Sequence, residues 1–145
     1  MFQKQKRTSL FRVVFLFTAI MVSSFIASII QSSGGKVDVN TIKFPMQNGQ
    51  LLVADLFKPK NATKETPAPL VIVIPGFQRS KEALSNISIE LSRRGIVVIA
   101  IDPYAQGFSS SSLSKTSASS EGYGMYAVVD YIYNTENLNY IKKDK

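Results

Sequence analysis

The sequence predicts an α/β fold with a parallel sheet, set behind one membrane-crossing helix. Three observations carry that expectation. Residues 13–30, VVFLFTAIMVSSFIASII, run without a charge and are diluted only by Thr18, Ser23, Ser24 and Ser28. Residues 70–74 (LVIVI) and 96–101 (IVVIAI) are apolar throughout, as strands covered on both faces are. Between them, residues 80–94 place Leu84, Ile87 and Leu91 at helical spacing. Strand, helix and strand within about thirty residues make a βαβ unit.

Taking the elements in order, residues 1–12 carry Lys4, Lys6, Arg7 and Arg12 and no acid, so four of the net +7 charges precede the apolar run. A basic flank holds an N-terminus in the cytoplasm, and eighteen residues at about 1.5 Å each nearly cross a hydrocarbon core of about 30 Å. Residues 13–30 are therefore expected to be an uncleaved single-pass signal anchor in the cell membrane. The lipid bilayer is its partner and the remainder of the chain is extracytoplasmic. The alternative is a secretory signal peptide cut around Ser32-Ser33-Gly34, which would make the protein secreted. Lys142, Lys143 and Lys145 crowd the other end, with no aromatic-interleaved basic face between the clusters. The charge therefore does not point to nucleic acid.

Residues 31–36, QSSGGK, read as a spacer, and 37–145 as the folded domain. In it, VDVNTIKF and QLLVADLF flank PMQNG, whose Asn48-Gly49 tolerates the positive φ of a tight turn, so a hairpin is expected over 37–57. Residues 58–69, with three prolines, read as a surface loop. The helix of the βαβ unit has Ser80 placed to cap it, Glu82 in its first turn, Arg93 and Arg94 in its last, and Gly95 as a left-handed stop. After a loop with eight serines among residues 109–120, Met125, Val128, Val129 and Ile132 mark a further helix.

The chain has no cysteine and no histidine. That removes disulfides, thiolate metal sites, the commonest metal ligand and the commonest general base, so neither a metal nor a cofactor is expected. Parallel sheets carry their chemistry at the carboxyl ends of the strands. Here those ends are Pro75-Gly76-Phe77-Gln78 and DPYAQGFSS, residues 102–110. A dinucleotide fold would need G-x-G-x-x-G after the first strand, but Gly76 is the only glycine from 70 to 94, so Asp102 alone does not support it. Read separately, each end is also compatible with an ordinary turn and an ordinary strand terminator.

Read together, VIVIPGFQRSKEALSNISIELSRRGIVVIAIDPYAQGFSS resembles the first half of an α/β-hydrolase, in the broad group of dienelactone hydrolases, lipases and serine peptidases. The likeness spans roughly residues 40–141 and implies a partial α/β-hydrolase fold: an N-terminal hairpin, a parallel βαβ unit and a further helix. It also implies an oxyanion hole at the first strand end, with the Phe77 backbone N–H as donor and Gly76 allowing the backbone to approach. The family's Asp-x-x-Gly-x-Gly-x-Ser is met by Asp102, Gly107 and Ser109, with Gln106 where a glycine often stands. The resemblance gives Asp102 a loop-holding role rather than that of triad acid.

No serine sits in G-x-S-x-G, the strained elbow that exposes a nucleophile. In the family, a linker like NTENLNYIKKDK leads into the fifth strand, which carries that elbow, and the triad acid and histidine come later. The expectation is therefore the N-terminal portion of a membrane-anchored serine hydrolase, with no catalytic residue present and no activity alone. The complete protein would act on a small-molecule ester, lipid or peptide. The alternative is a non-catalytic, membrane-anchored binding or scaffolding protein.

Overall fold

The computed structural model describes residues 2–45, 49–110 and 122–143, and the chain divides into two compact units, residues 1–35 and 36–145. The first unit is a single helix, α1 (Phe2–Gln31), which begins in the basic segment rather than after it. Lys, Arg, Gln and Leu are all good helix formers, so nothing in that segment breaks the helix. Within α1, Ser9–Gln31 has a mean hydropathy of 2.5 and is nowhere buried, a stretch long and apolar enough to span a membrane. Thr18 Oγ1 donates to the Val14 carbonyl of the preceding turn at 2.9 Å. Ser33, Gly34 and Gly35, all at positive φ, end the helix.

The second unit is a four-stranded sheet in the order β1-β2-β4-β3. β1 (Val37–Pro45) and β2 (Leu51–Pro59) form the expected hairpin, slightly longer than the sequence implied. Asn48 lies outside the described residues, and Gly49 takes the positive φ of the turn. β4 (Val97–Ile101) pairs antiparallel with β2 and parallel with β3 (Leu70–Val73). β4 is buried along its whole length because it is central and alternates between two packed faces. Ile99 and Ile101 pack with Val128 and Ile132 of α3 (Met125–Asn134) on one face, and Val98 and Ala100 pack near Ile89 and Leu91 of α2 (Ser85–Arg93) on the other.

Three details depart from the sequence reading. The strand at 70–74 was expected to be fully buried, yet every residue of β3 is only half-buried. It pairs with β4 alone, and its outer edge borders a shallow groove lined by Leu70, Ile72, Val129, Ile132 and Ile141. Outside that edge the chain returns once: Ala68 and Ile141 form a parallel bridge, with Ala68 N–H donating to Tyr140 at 2.9 Å and Lys142 N–H to Ala68 at 2.8 Å.

The expected continuous helix over 80–94 is instead a 3₁₀ turn, Lys81–Leu84, followed by α2, and Ser80 makes no side-chain cap. The apolar stripe seats α2 only in part, through Leu91. Ile87 is exposed, and Ser88 and Ser92 are buried beside Leu91. Their hydroxyls donate to the Leu84 and Phe57 carbonyls, so the small side chains bring the helix close to the sheet without an unpaired polar group. In α3, likewise, Val128 and Ile132 are buried but Val129 is exposed. Of the serine-dense loop, residues 111–120 lie outside the described residues.

Candidate active site

β3 and β4 run parallel and adjacent, so the loops that follow them leave the sheet side by side. After β3 the chain turns through Pro75, Gly76, Phe77 and Gln78. Gln78 sits at φ +58, and Arg79 N–H closes back on the Gly76 carbonyl at 3.2 Å. A Cβ added at Gly76 would meet no atom within 4 Å, and its φ is not positive, so neither packing nor backbone geometry demands glycine there. The Phe77 side chain is 84% exposed.

After β4 the loop closes around Asp102, which is fully buried. Its Oδ1 accepts Lys81 N–H at 2.7 Å and its Oδ2 accepts Phe108 N–H at 3.0 Å. The carboxylate thus supplies the cap at the start of the 3₁₀ turn that Ser80 was expected to supply. A second tie joins the same two loops, as Arg79 N–H donates to Gln106 Oε1 at 3.0 Å. Gly107 sits at φ +53 against Asp102, where any Cβ would overlap the carboxylate. Ser109 Oγ donates to the Asp102 carbonyl at 2.7 Å and accepts Val53 N–H at 2.8 Å. Ser110 Oγ accepts Leu51 N–H at 3.0 Å, which fastens the loop to β2.

The charge beneath this junction is Lys81, itself buried. Its Nζ lies 2.6 Å from Glu82 Oε1, 3.3 Å from Asp55 Oδ2 and 3.8 Å from Asp102 Oδ2. Burial disfavours the ammonium, but the Glu82 hydrogen bond and the charges of Asp55, Asp102 and Glu82 outweigh it and raise its pKa above the ordinary lysine value. The hydrogen bond from Lys81, aided by the one from Ser80, lowers the Glu82 carboxyl to about 2.

No family model matches this sequence. No curated protein matches it either. Solved structures do. A hypothetical protein from Pseudomonas aeruginosa superposes with a TM-score of 0.54 at 29% identity, over 70% of this chain and 32% of that one. The alpha/beta hydrolase GrgF from Penicillium sp. sh18 gives 0.55 at 20% identity, over 68% and 33%. The Pyrococcus furiosus esterase Pf2001 gives 0.55 at 14%, over 74% and 40%. This is part of the α/β-hydrolase fold. The chain spans about a third of the length of the solved hydrolases it matches.

Within that hydrolase fold, the site residues named from the sequence fall into two groups. Gly76 and Phe77 stand in the turn after β3, while Asp102, Gly107 and Ser109 form one hydrogen-bonded knot after β4. Backbone donors on the β3 side are fastened to the β4 side through Asp102 and Gln106. Lys81 and the carbonyl oxygen of Gln106 escaped the sequence reading. A signal for Lys81 was present: a lysine in the first turn of a helical segment opposes the positive end of the helix dipole, so it needs a carboxylate of its own. Among the described residues, no group of three or more His, Cys, Asp or Glu is arranged to hold a metal ion.

Proposed function

We propose that residues 37–145 are the oxyanion-side portion of a membrane-anchored, outward-facing serine hydrolase. Its substrate is an ester, lipid or peptide carbonyl, its acyl group passes through a serine ester to water, and it uses no cofactor. α1 holds it in the bilayer, and Lys4, Lys6, Arg7 and Arg12 keep the N-terminus in the cytoplasm.

The observation that carries the reading is the open backbone at Gly76-Phe77. The turn leaves the carboxyl end of a parallel strand, has open space where a Gly76 Cβ would stand, and is tied down at Arg79. An oxyanion donor has those requirements: a rigid N–H beside space that a reacting carbonyl oxygen can enter. The nucleophile, acid and histidine are assigned to a segment beyond Lys145. The sequence has no histidine, and Ser109 and Ser110 spend their hydroxyls on the backbone of Asp102 and β2.

The test is to follow the coding frame past Lys145. A G-x-S-x-G within about 15 residues is expected, since the family's elbow follows the fifth strand. The extended protein should hydrolyse activated esters and lose that activity on Gly76→Val. The 145-residue chain should not be labelled by a serine-directed fluorophosphonate. Stoichiometric labelling of one of its serines would refute the assignment, and a frame without the elbow would favour the non-catalytic binding or scaffolding protein.

A further inference from the structure

Among the residues whose burial is described, Lys81 is the only buried lysine or arginine and Asp102 the only buried carboxylate. They are the two halves of one device. Each oxygen of Asp102 is spent on a backbone N–H from a different loop: Lys81 after the β3 turn, Phe108 after β4. The carboxylate is therefore the tie between the two strand ends. Burying a carboxylate is costly unless backbone donors and a cation offset its lost hydration.

That cation is the Lys81 ammonium, 3.8 Å from Asp102 Oδ2. It also reaches Asp55 on β2 at 3.3 Å, Glu82 at 2.6 Å, and the face of the Phe108 ring, 5.2 Å from its centroid. Asp55 in turn accepts the Thr41 hydroxyl of β1 at 2.7 Å. One side chain thus joins the β1-β2 hairpin to both loops at the strand ends, and three carboxylates converge on its single positive charge.

We propose that Lys81 is a positioning residue for the β3 turn: by keeping Asp102 in place, it holds the backbone from Phe77 to Lys81 in the orientation the oxyanion contact uses. The inference rests on the proposed function for what the turn serves, but not for how the turn is fastened. Replacing Lys81 by methionine keeps an apolar stem and removes the charge. The buried Asp102 carboxylate then has no cation beside it and is drawn toward solvent, which frees an N–H that it now holds.

Amide hydrogen exchange on the full chain in detergent micelles tests this. In Lys81→Met, the Lys81 and Phe108 amides should exchange about tenfold faster or more, while Val98 and Ile99 in β4 change by less than about twofold. Uniform acceleration, or none, overturns the proposal. Should Lys81→Met fail to fold, the double variant Lys81→Met/Asp102→Asn decides. It is neutral at both positions, and its amide oxygen can still accept Lys81 N–H, so protection there should return to within about threefold of the parent. A double variant no better protected than unfolded chain overturns it too. In the complete hydrolase, Lys81→Met should lower kcat with KM within about twofold, because a misdirected oxyanion donor is felt in the transition state. An unchanged kcat overturns the positioning role. Absence of ester turnover in the unsubstituted protein would overturn the proposed function instead, an outcome that the exchange pattern cannot mimic.

Discussion

At Gly107 the backbone takes φ +53 and the Asp102 carboxylate fills the space where a side chain would begin, whereas at Gly76 the φ is not positive and the space is empty. Of the two strand-end glycines, only Gly107 is therefore demanded by the fold; under the proposed function Gly76 leaves room for a reacting carbonyl. Gly107→Ala should destabilise the chain by about 1–3 kcal/mol from backbone strain alone, with the displaced carboxylate adding to it. Gly76→Ala should stay within about 0.5 kcal/mol of the parent. Thermal or denaturant melts of the full chain in detergent compare them directly. A Gly107→Ala melt that overlays the parent would mean that Asp102 is not held where the hydrogen bonds put it.

Among the elements, the ones legible from the sequence were those whose neighbours do not change the pattern. β4 is central, so its apolar run and its burial agree, and the hairpin carries its own turn chemistry. β3 reads like β4 in sequence, but an apolar run does not say whether a strand has one neighbour or two, and its half-burial comes from topology. In α2 the periodicity pointed to Ile87, while close approach to the sheet selected the serines one turn apart, Ser88 and Ser92. The site followed the same division. Gly76, Phe77, Asp102, Gly107 and Ser109 lie in local motifs, but Lys81 acquires its meaning only from Asp55 and Asp102, which come from other elements. Among the described residues the outer edge of β3 pairs with no strand, and an apolar edge is a template for pairing with another chain. Residues 37–145 without α1 should sediment as oligomers or aggregates, and a monomer with a sharp thermal transition would instead mark a self-contained, non-catalytic domain.

At the scale of the whole molecule, the apolar helix and the α/β unit make a topological prediction together. Under the proposed orientation, in which the basic flank keeps the N-terminus inside, protease added to intact cells should digest the chain beyond Lys36 and spare the N-terminus. A mature protein beginning near Gly35 and recovered from the medium would convert the anchor into a cleaved signal.

The bridge between Ala68 and Ile141 also bears on the order in which the unit assembles. It joins residues from far apart in the chain, whereas the β1-β2 hairpin closes locally and β3 meets β4 across one helix. Loop-closure entropy makes so distant a contact one of the last to form. During synthesis β3 is made early, and Ala68 just before it lacks its partner until the residues around Ile141 emerge. That interval adds to the exposure that the β3 edge keeps in the folded unit, so the timing of translation bears on yield as well as the stability of the folded form.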